Sequence, residues 1–316
     1  MERYYSYTKY LKEKFGGKVY KIPVNLPHTC PNRDGTVGTG GCIFCEDSPG
    51  GFVCLPDTRA ISQKVEELKK YFQDKFKAQK FIVYFQAYTN TYHPLAVFRD
   101  YILSAVDNTD IVGLSVSTRP DAVNDKYLEV LAEVKAEKNL EVDVELGLQT
   151  VNYKNLIAIN RGHTLAEFID AVLRIKKYGL NVTTHLILNL PGETLDDVIE
   201  NAKIMSALKI DFVKLHTLFI PEKTVLGDMY RAGKIEIIPL EEYVHWVVTF
   251  LEYLSPEVVV QRLIGKGPDE GVLFSNWGVS WWKIKHLIEG ELEKRDTRQG
   301  AKCDYLNGKA VQKFLR

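Results

Sequence analysis

A chain of 316 residues, 45% hydrophobic and 26% charged, can build one large core or two modest domains and has an ordinary soluble globular composition. Its formal net charge of zero argues against a sequence-blind polyanion binder. There is no apolar run of about eighteen residues and no signal peptide at the N-terminus, so no membrane partner is expected and a cytoplasmic location follows by default.

Charge is uneven along the chain. Residues 2–21 carry six Lys/Arg against Glu2 and Glu13, interleaved with five tyrosines, and residues 281–316 carry nine Lys/Arg against five acids. Basic segments with aromatics can track a phosphate backbone and stack bases, although a solvated helix face with core tyrosines accounts for them as well. The five cysteines do not suggest a disulfide framework. Thiols in a reducing compartment suit a metal site.

Residues 1–17 read as a helix stopped by Gly16 and Gly17, and residues 19–24 as a short strand. The strand delivers the loop CPNRDGTVGTGGCIFC (30–45), in which Cys30, Cys42 and Cys45 are spaced Cys-x11-Cys-x2-Cys. Three thiolates can hold three irons of a 4Fe-4S cluster and leave the fourth open to a small chelate. Structural zinc, with His28 as fourth ligand, is the alternative. Cys54 and Cys303 are singletons, too few for a second cluster, and Cys54 is expected to be a buried inert thiol. Residues 46–60 look irregular, and 61–76 have helical spacing.

A repeating rhythm follows. Strand-like runs at 81–85, 111–116, 142–148, 182–188 and 212–219 alternate with helical runs at 95–106, 125–138, 165–178 and 195–208. Thr164 with Glu167 and Thr194 with Asp197 read as capping boxes, and Gly179 as a helix stop. Six strands alternating with helices predict a parallel sheet, most of its strands rich in apolar residues on both faces, in an α/β fold. Six βα units are too few for a closed eight-stranded barrel, so the expected form is a three-quarter (partial) TIM barrel with its chemistry at the C-terminal strand ends. Polar residues collect there: Gln86, Thr89 and Asn90; Ser117, Thr118, Arg119 and Asp121; Glu145 and Gln149; Asn189 and Glu193; His216 and Thr217. The rhythm stops after Pro221. A helix at 240–254, a short strand at 258–263 and an aromatic-rich helix bearing Trp277, Trp281 and Trp282 follow. The expected organisation is a core with its N-terminal helix over 1–222, and a mixed, largely helical C-terminal extension over 223–316 packed on the barrel. His93, His163, His185 and His216 are scattered and form no constellation in the sequence; core or surface histidines are the default.

The cysteine loop, the six βα units and the run LILNLPGE (186–193) resemble the radical SAM superfamily. Within it the chain closely resembles the bacterial YtqA/YhcC family, relatives of the Elongator catalytic subunit. The matching runs are CPNRDG (30–35), GGCIFC (40–45), YFQAYTNTY (84–92), STRPD (117–121), VELGLQT (144–150), NRGH (160–163), LPGET (190–194) and RDTRQG (295–300).

The resemblance implies that Cys30, Cys42 and Cys45 ligate a 4Fe-4S cluster, whose open iron binds S-adenosylmethionine through its amino and carboxylate groups. Reductive cleavage then gives a 5′-deoxyadenosyl radical. Glu145 and Gln149 would lie near the ribose and substrate as the catalytic pair, although Glu145 could instead be salt-bridged to a neighbouring strand. Arg161 would pair the methionine carboxylate, Phe44 would shield the cluster or pack on the adenine side, and residues 188–190, with Leu188 and Asn189, would pass the adenine. Gly192 and Glu193 could simply form a turn and a helix cap. A Gly-Gly-Glu run common in the superfamily is absent after the second strand, which leaves Gln86, Thr89 and, one strand further, Ser117 as binders of the cofactor. The implied activity is hydrogen abstraction from carbon in tRNA, at the 5-substituent of the wobble uridine, with electrons from a donor such as flavodoxin or ferredoxin. A small metabolite or peptide as substrate, or a non-catalytic zinc RNA-binding protein, are the alternatives.

Overall fold

The computed structural model describes residues 2–26, 29–46, 57–107, 109–268 and 270–314. His28 and Cys54 lie outside them. The helix α1 (Tyr7–Phe15) starts on Ser6, whose side chain accepts from the Lys9 amide, and stops at Gly16 with φ 67. Strand β1 (Val19–Val24) leads into the cysteine loop. Then come α2 (Thr58–Phe76), β2 (Lys80–Phe85), α3 (Leu95–Val106), β3 (Ile111–Thr118), α4 (Asp125–Lys138) and β4 (Glu141–Gln149). The short α5 (Tyr153–Ala158) precedes α6 (Leu165–Lys177), β5 (Asn181–Leu188), α7 (Leu195–Ala207) and β6 (Phe212–Thr217). Both expected capping boxes form, at Thr164/Glu167 and Thr194/Asp197.

The remainder of the chain is more strand-bearing than its sequence suggests. It holds β7 (Ile220–Pro221), α8 (Val225–Arg231), α9 (Leu240–Tyr253), β8 (Val259–Arg262), β9 (Val272–Phe274) and α10 (Trp281–Lys294). β7 and β9 form a small antiparallel ribbon, while β8 joins the main sheet next to β6. The result is one seven-stranded parallel sheet in the order β1-β2-β3-β4-β5-β6-β8, a partial barrel with one strand more than the six expected. None of the described helices is long and apolar enough to cross a membrane.

The sheet is curled. In a flat sheet six strand steps would put β1 and β8 roughly 29 Å apart. Instead Lys21 of β1 donates to Gln261 of β8 at 3.3 Å and to Glu145 of β4 at 2.8 Å. Side-chain alternation sorts the two faces. Val142, Val144, Leu146 and Leu148 of β4 point outward into the main core beneath the helices. Asp143, Glu145, Gly147 and Gln149 alternate with them on the inner face. The expectation of strands apolar on both faces therefore needs correction: the inner face carries Lys21, Tyr84, Ser115, Ser117, Asp143, Glu145, His185, Lys214 and His216. A concave face that is not filled by a closed barrel's layers can be polar, provided its charges pair with one another.

Candidate active site

The cysteine loop is built by its own backbone. Arg33 N donates to Cys30 O at 2.8 Å, Cys45 N to Cys42 O at 2.9 Å, and Gly41 N to Asn32 O at 2.9 Å. Gly41 sits at φ 77, where a side chain would be strained, and a Cβ there would lie 3.1 Å from the Arg33 side chain. Two backbone bonds clamp the loop from outside: Ile43 N donates to Ile159 O, after α5, and Leu226 N of α8 donates to Ile43 O. Ile43 and Phe44 thereby join a small apolar cluster with Leu156, Ile159, Leu190, Leu218 and Leu226.

One cavity of about 340 Å³ at the C-terminal strand ends gathers Cys30, Cys42, Cys45, Phe44, Gln86, Thr89, Ser117, Glu145, Gln149 and Arg161 in its lining. Larger clefts of about 850 and 650 Å³ lie elsewhere but carry no thiol in their linings, so chemistry rather than volume selects the site. Two residues from the sequence reading do not line it. Leu188 is fully buried in the main core, and Asn189, at φ 71, turns away to accept from the Ile238 amide at 3.5 Å.

Around the thiols the polar groups are arranged for an electron-rich occupant. Asn32 Nδ2 lies 3.8 Å and Arg161 Nη1 3.4 Å from Cys42 Sγ. Arg161 Nε and Nη2 both donate to Gly147 O, at 3.1 and 2.5 Å. Arg119 is almost fully buried and gripped in bidentate fashion by Asp121 at 2.8 Å, which leaves its Nη1 without a partner. Thr89 Oγ1 and Asn32 Oδ1 are likewise buried and unpartnered. Burial pushes the Cys45 thiol up, and the Arg33 guanidinium opposes that push. Among these residues, only Asn32 and Arg33 lie within the cysteine motif itself; an Asn and an Arg flanking a Cys are the signal the sequence offers.

The cavity floor is a buried charge network. Glu145, with a fully buried side chain, receives Lys21 at 2.8 Å, His185 Nε2 at 2.7 Å, Lys214 at shorter range and Ser117 at 3.4 Å. Burial works against its ionised form, but Lys21 and Lys214 overcome that and hold the carboxyl well below its usual range. Asp143 is pushed upward by burial and by Glu145 beside it, and Lys214 downward by burial. Burial, helped by Lys214, lowers His185 to about 4. His185 stacks on His216 with ring centroids 5.3 Å apart, and Arg262 Nη2 lies 2.6 Å from His216 Nε2. The histidine constellation absent from the sequence thus exists in space. Its sequence signal is a charged or imidazole side chain at alternate positions of otherwise apolar strands.

A parallel half-barrel with three thiols converging on one cavity at its C-terminal edge is the architecture of a cofactor-dependent enzyme. The chain belongs to the radical SAM superfamily: the model of that superfamily matches residues 25–205, and the radical SAM C-terminal domain matches 210–294. Members bind a 4Fe-4S cluster and S-adenosylmethionine, and they need a reductant. The chain is 37% identical over 299 residues to YtqA of Bacillus subtilis, covering 95% of this chain and 92% of that one. It is 34% identical over 272 residues to YhcC of Escherichia coli, with 86% of each covered. More distantly, it is 27% identical over 207 residues to the tRNA uridine(34) acetyltransferase of Methanocaldococcus jannaschii, covering 63% of this chain and 35% of that one. The fold resembles that of Methanocaldococcus infernus Elp3 at a TM-score of 0.67 and 19% identity, covering 90% of this chain and 64% of that one.

Proposed function

We propose that the chain is a tRNA-modifying radical SAM enzyme acting on the 5-substituent of a wobble uridine. The observation that carries the cofactor assignment is the convergence of Cys30, Cys42 and Cys45 on one cavity that also holds Glu145, Gln149 and Arg161. Three soft sulfur donors, with N–H groups of Asn32 and Arg161 directed at one of them, fit a cluster held by three thiolates. When bound, the cluster and S-adenosylmethionine supply reductive carbon–sulfur cleavage and hydrogen abstraction through a 5′-deoxyadenosyl radical.

The rest falls to the chain's own side chains. Of the five N–H groups of Arg161, Gly147 O and Cys42 Sγ use three, leaving two for a methionine carboxylate. Thr89 Oγ1, buried at the lining without a partner, and Gln86 are the groups for the methionine amine. Phe44 packs one wall and Ser117 another; Asn189 and Leu188 act through the backbone turn after β5, not as lining side chains. Ionised Glu145 is the salt-bridged carboxylate of the alternative reading: held by Lys21, Lys214, His185 and Ser117, it sets the charge of the cavity floor beneath the ribose and substrate. His185 is neutral at pH 7. Its Nε2 donates to Glu145, which leaves Nδ1 as a hydrogen-bond acceptor of low basicity.

The tRNA reading draws on the likeness to a tRNA uridine(34) acetyltransferase and on the basic, aromatic ends of the chain. The carboxymethylaminomethyl to aminomethyl conversion is the reaction we favour. Hydrogen and then a second electron leave the carboxymethyl carbon, and water releases the amine and glyoxylate. S-adenosylmethionine is the two-electron oxidant overall, and flavodoxin or ferredoxin is the donor that primes the cluster. The test is anaerobic reconstitution followed by assay of 5′-deoxyadenosine with and without tRNA lacking the modification. A brown protein whose S-adenosylmethionine cleavage rises with that tRNA supports the reading. A colourless zinc protein without cleavage overturns it.

A further inference from the structure

A side cavity of about 430 Å³ opens between α1, β8 and the start of α10. Among the described residues its lining carries three cations, Arg262, Lys266 and Lys285, and no carboxylate; Tyr4, Tyr7 and Trp281 supply flat apolar wall. An acid stands behind the lining, where Glu289 meets Lys285 at 3.4 Å and the Tyr4 hydroxyl at 3.2 Å. Trp281 and Trp282 are 43% and 56% exposed, and both line the neighbouring cleft of about 650 Å³, which shares Lys266. The two hollows therefore meet at a tryptophan ridge, where α10 begins without a side-chain cap on its first-turn amides.

Arg262 marks the inner end of the side cavity. Its guanidinium rests on His216 and makes no ion pair among the described residues, and its Nε is buried without a hydrogen-bond partner. A cation taken out of water without an anion is costly, and a ligand phosphate would relieve that cost. Through His216, His185 and Glu145, each touching the next, Arg262 connects to the floor of the thiol-lined cavity.

We propose that this side cavity and its tryptophan ridge bind a single-stranded RNA segment flanking the modified nucleotide. Arg262, Lys266 and Lys285 take its phosphates, and Trp281 and Trp282 stack its bases. Cations that track a backbone beside exposed indoles are the physical requirements of single-strand binding. The assignment rests on RNA as substrate but names the surface that holds it, away from the thiols.

The test is a fluorescence-anisotropy titration of the reconstituted protein with a labelled oligouridylate of about ten nucleotides. Trp281→Ala is expected to weaken binding about tenfold or more and to remove part of the tryptophan quenching, while Trp281→Phe retains most of the affinity. Lys266→Ala with Lys285→Ala is expected to flatten the slope of log affinity against log salt by about 0.7 for each phosphate left without its cation. Melting curves verify that each variant is folded. Wild-type binding left unchanged by both sets of substitutions overturns the site alone. A wild-type protein that binds neither the oligonucleotide nor tRNA overturns the site together with the RNA reading.

Discussion

At the residue scale, Cys30, Cys42 and Cys45 carry the cofactor assignment and Glu145 carries the electrostatics. Replacing any of the three cysteines by alanine is expected to abolish stable iron retention, read as loss of visible absorbance after reconstitution; three alanine variants that still hold iron would refute the ligand set. Glu145→Gln leaves Lys21 and Lys214 facing each other without their shared anion. Removing one partner from a buried pair costs about 3–5 kcal/mol, and denaturant titration should show it. Adding Lys214→Met to Glu145→Gln should recover part of the loss; strict additivity of the two substitutions would contradict the coupling. Glu193 gives a pH test. Burial raises it from 4.5 to about 8 although the Leu190 amide donates to it. Folded chains keep a proton that unfolded chains release between those values, so its contribution to stability is lost as pH rises through that window. Glu193→Gln should flatten the decline, by about 3 kcal/mol at pH 7; parallel wild-type and variant profiles would rule this out. The thiol ligands are legible in the sequence because their spacing is local. The partners of Glu145 are not, since Lys21 and Lys214 lie 124 and 69 residues away and only the curl of the sheet joins them.

At the element scale, β4 is the strand that aims the site. Its pairing with β5 shifts register between Gly147 and Gln149, and Gln149 takes φ 82. Across this bulge Gln149 keeps its place on the cavity side, and Gly147 O accepts from Arg161. A Cβ at Gly147 would sit 2.9 Å from Arg161 Nη2 and 3.1 Å from Gln149 Nε2. Gly147→Ala should therefore displace Arg161 and lower S-adenosylmethionine affinity by about tenfold or more, as removing a supporting hydrogen-bond partner does, with the fold intact. Unchanged affinity by equilibrium dialysis would count against this role for Arg161. Helices with whole periods, such as α3 and α4, are legible to the residue. The bulge, the ribbon of β7 with β9, and the seven-residue α8 are not, because two- and three-residue strands and a single short helix carry too little periodicity to read.

At the scale of the whole molecule, the residues after β6 close the structure around the site. β8 extends the parallel sheet, α8 clamps the cysteine loop through Leu226, and Arg3, Tyr5 and Gln299 tie the chain's two basic ends together. Both ends thus meet beside the start of β8, at the edge of the sheet. The charge of each end is visible in the sequence but their meeting is not, because α1 and the segment after α10 are joined only by the fold. The most direct test is mass spectrometry of tRNA nucleosides after incubation of the reconstituted protein with S-adenosylmethionine, a reductant and tRNA from cells lacking this chain. The account predicts a changed 5-substituent on the wobble uridine, formed together with 5′-deoxyadenosine and absent with the cysteine variants. Cleavage of S-adenosylmethionine with every tRNA nucleoside unchanged would contradict it and turn the search to a small metabolite or a peptide.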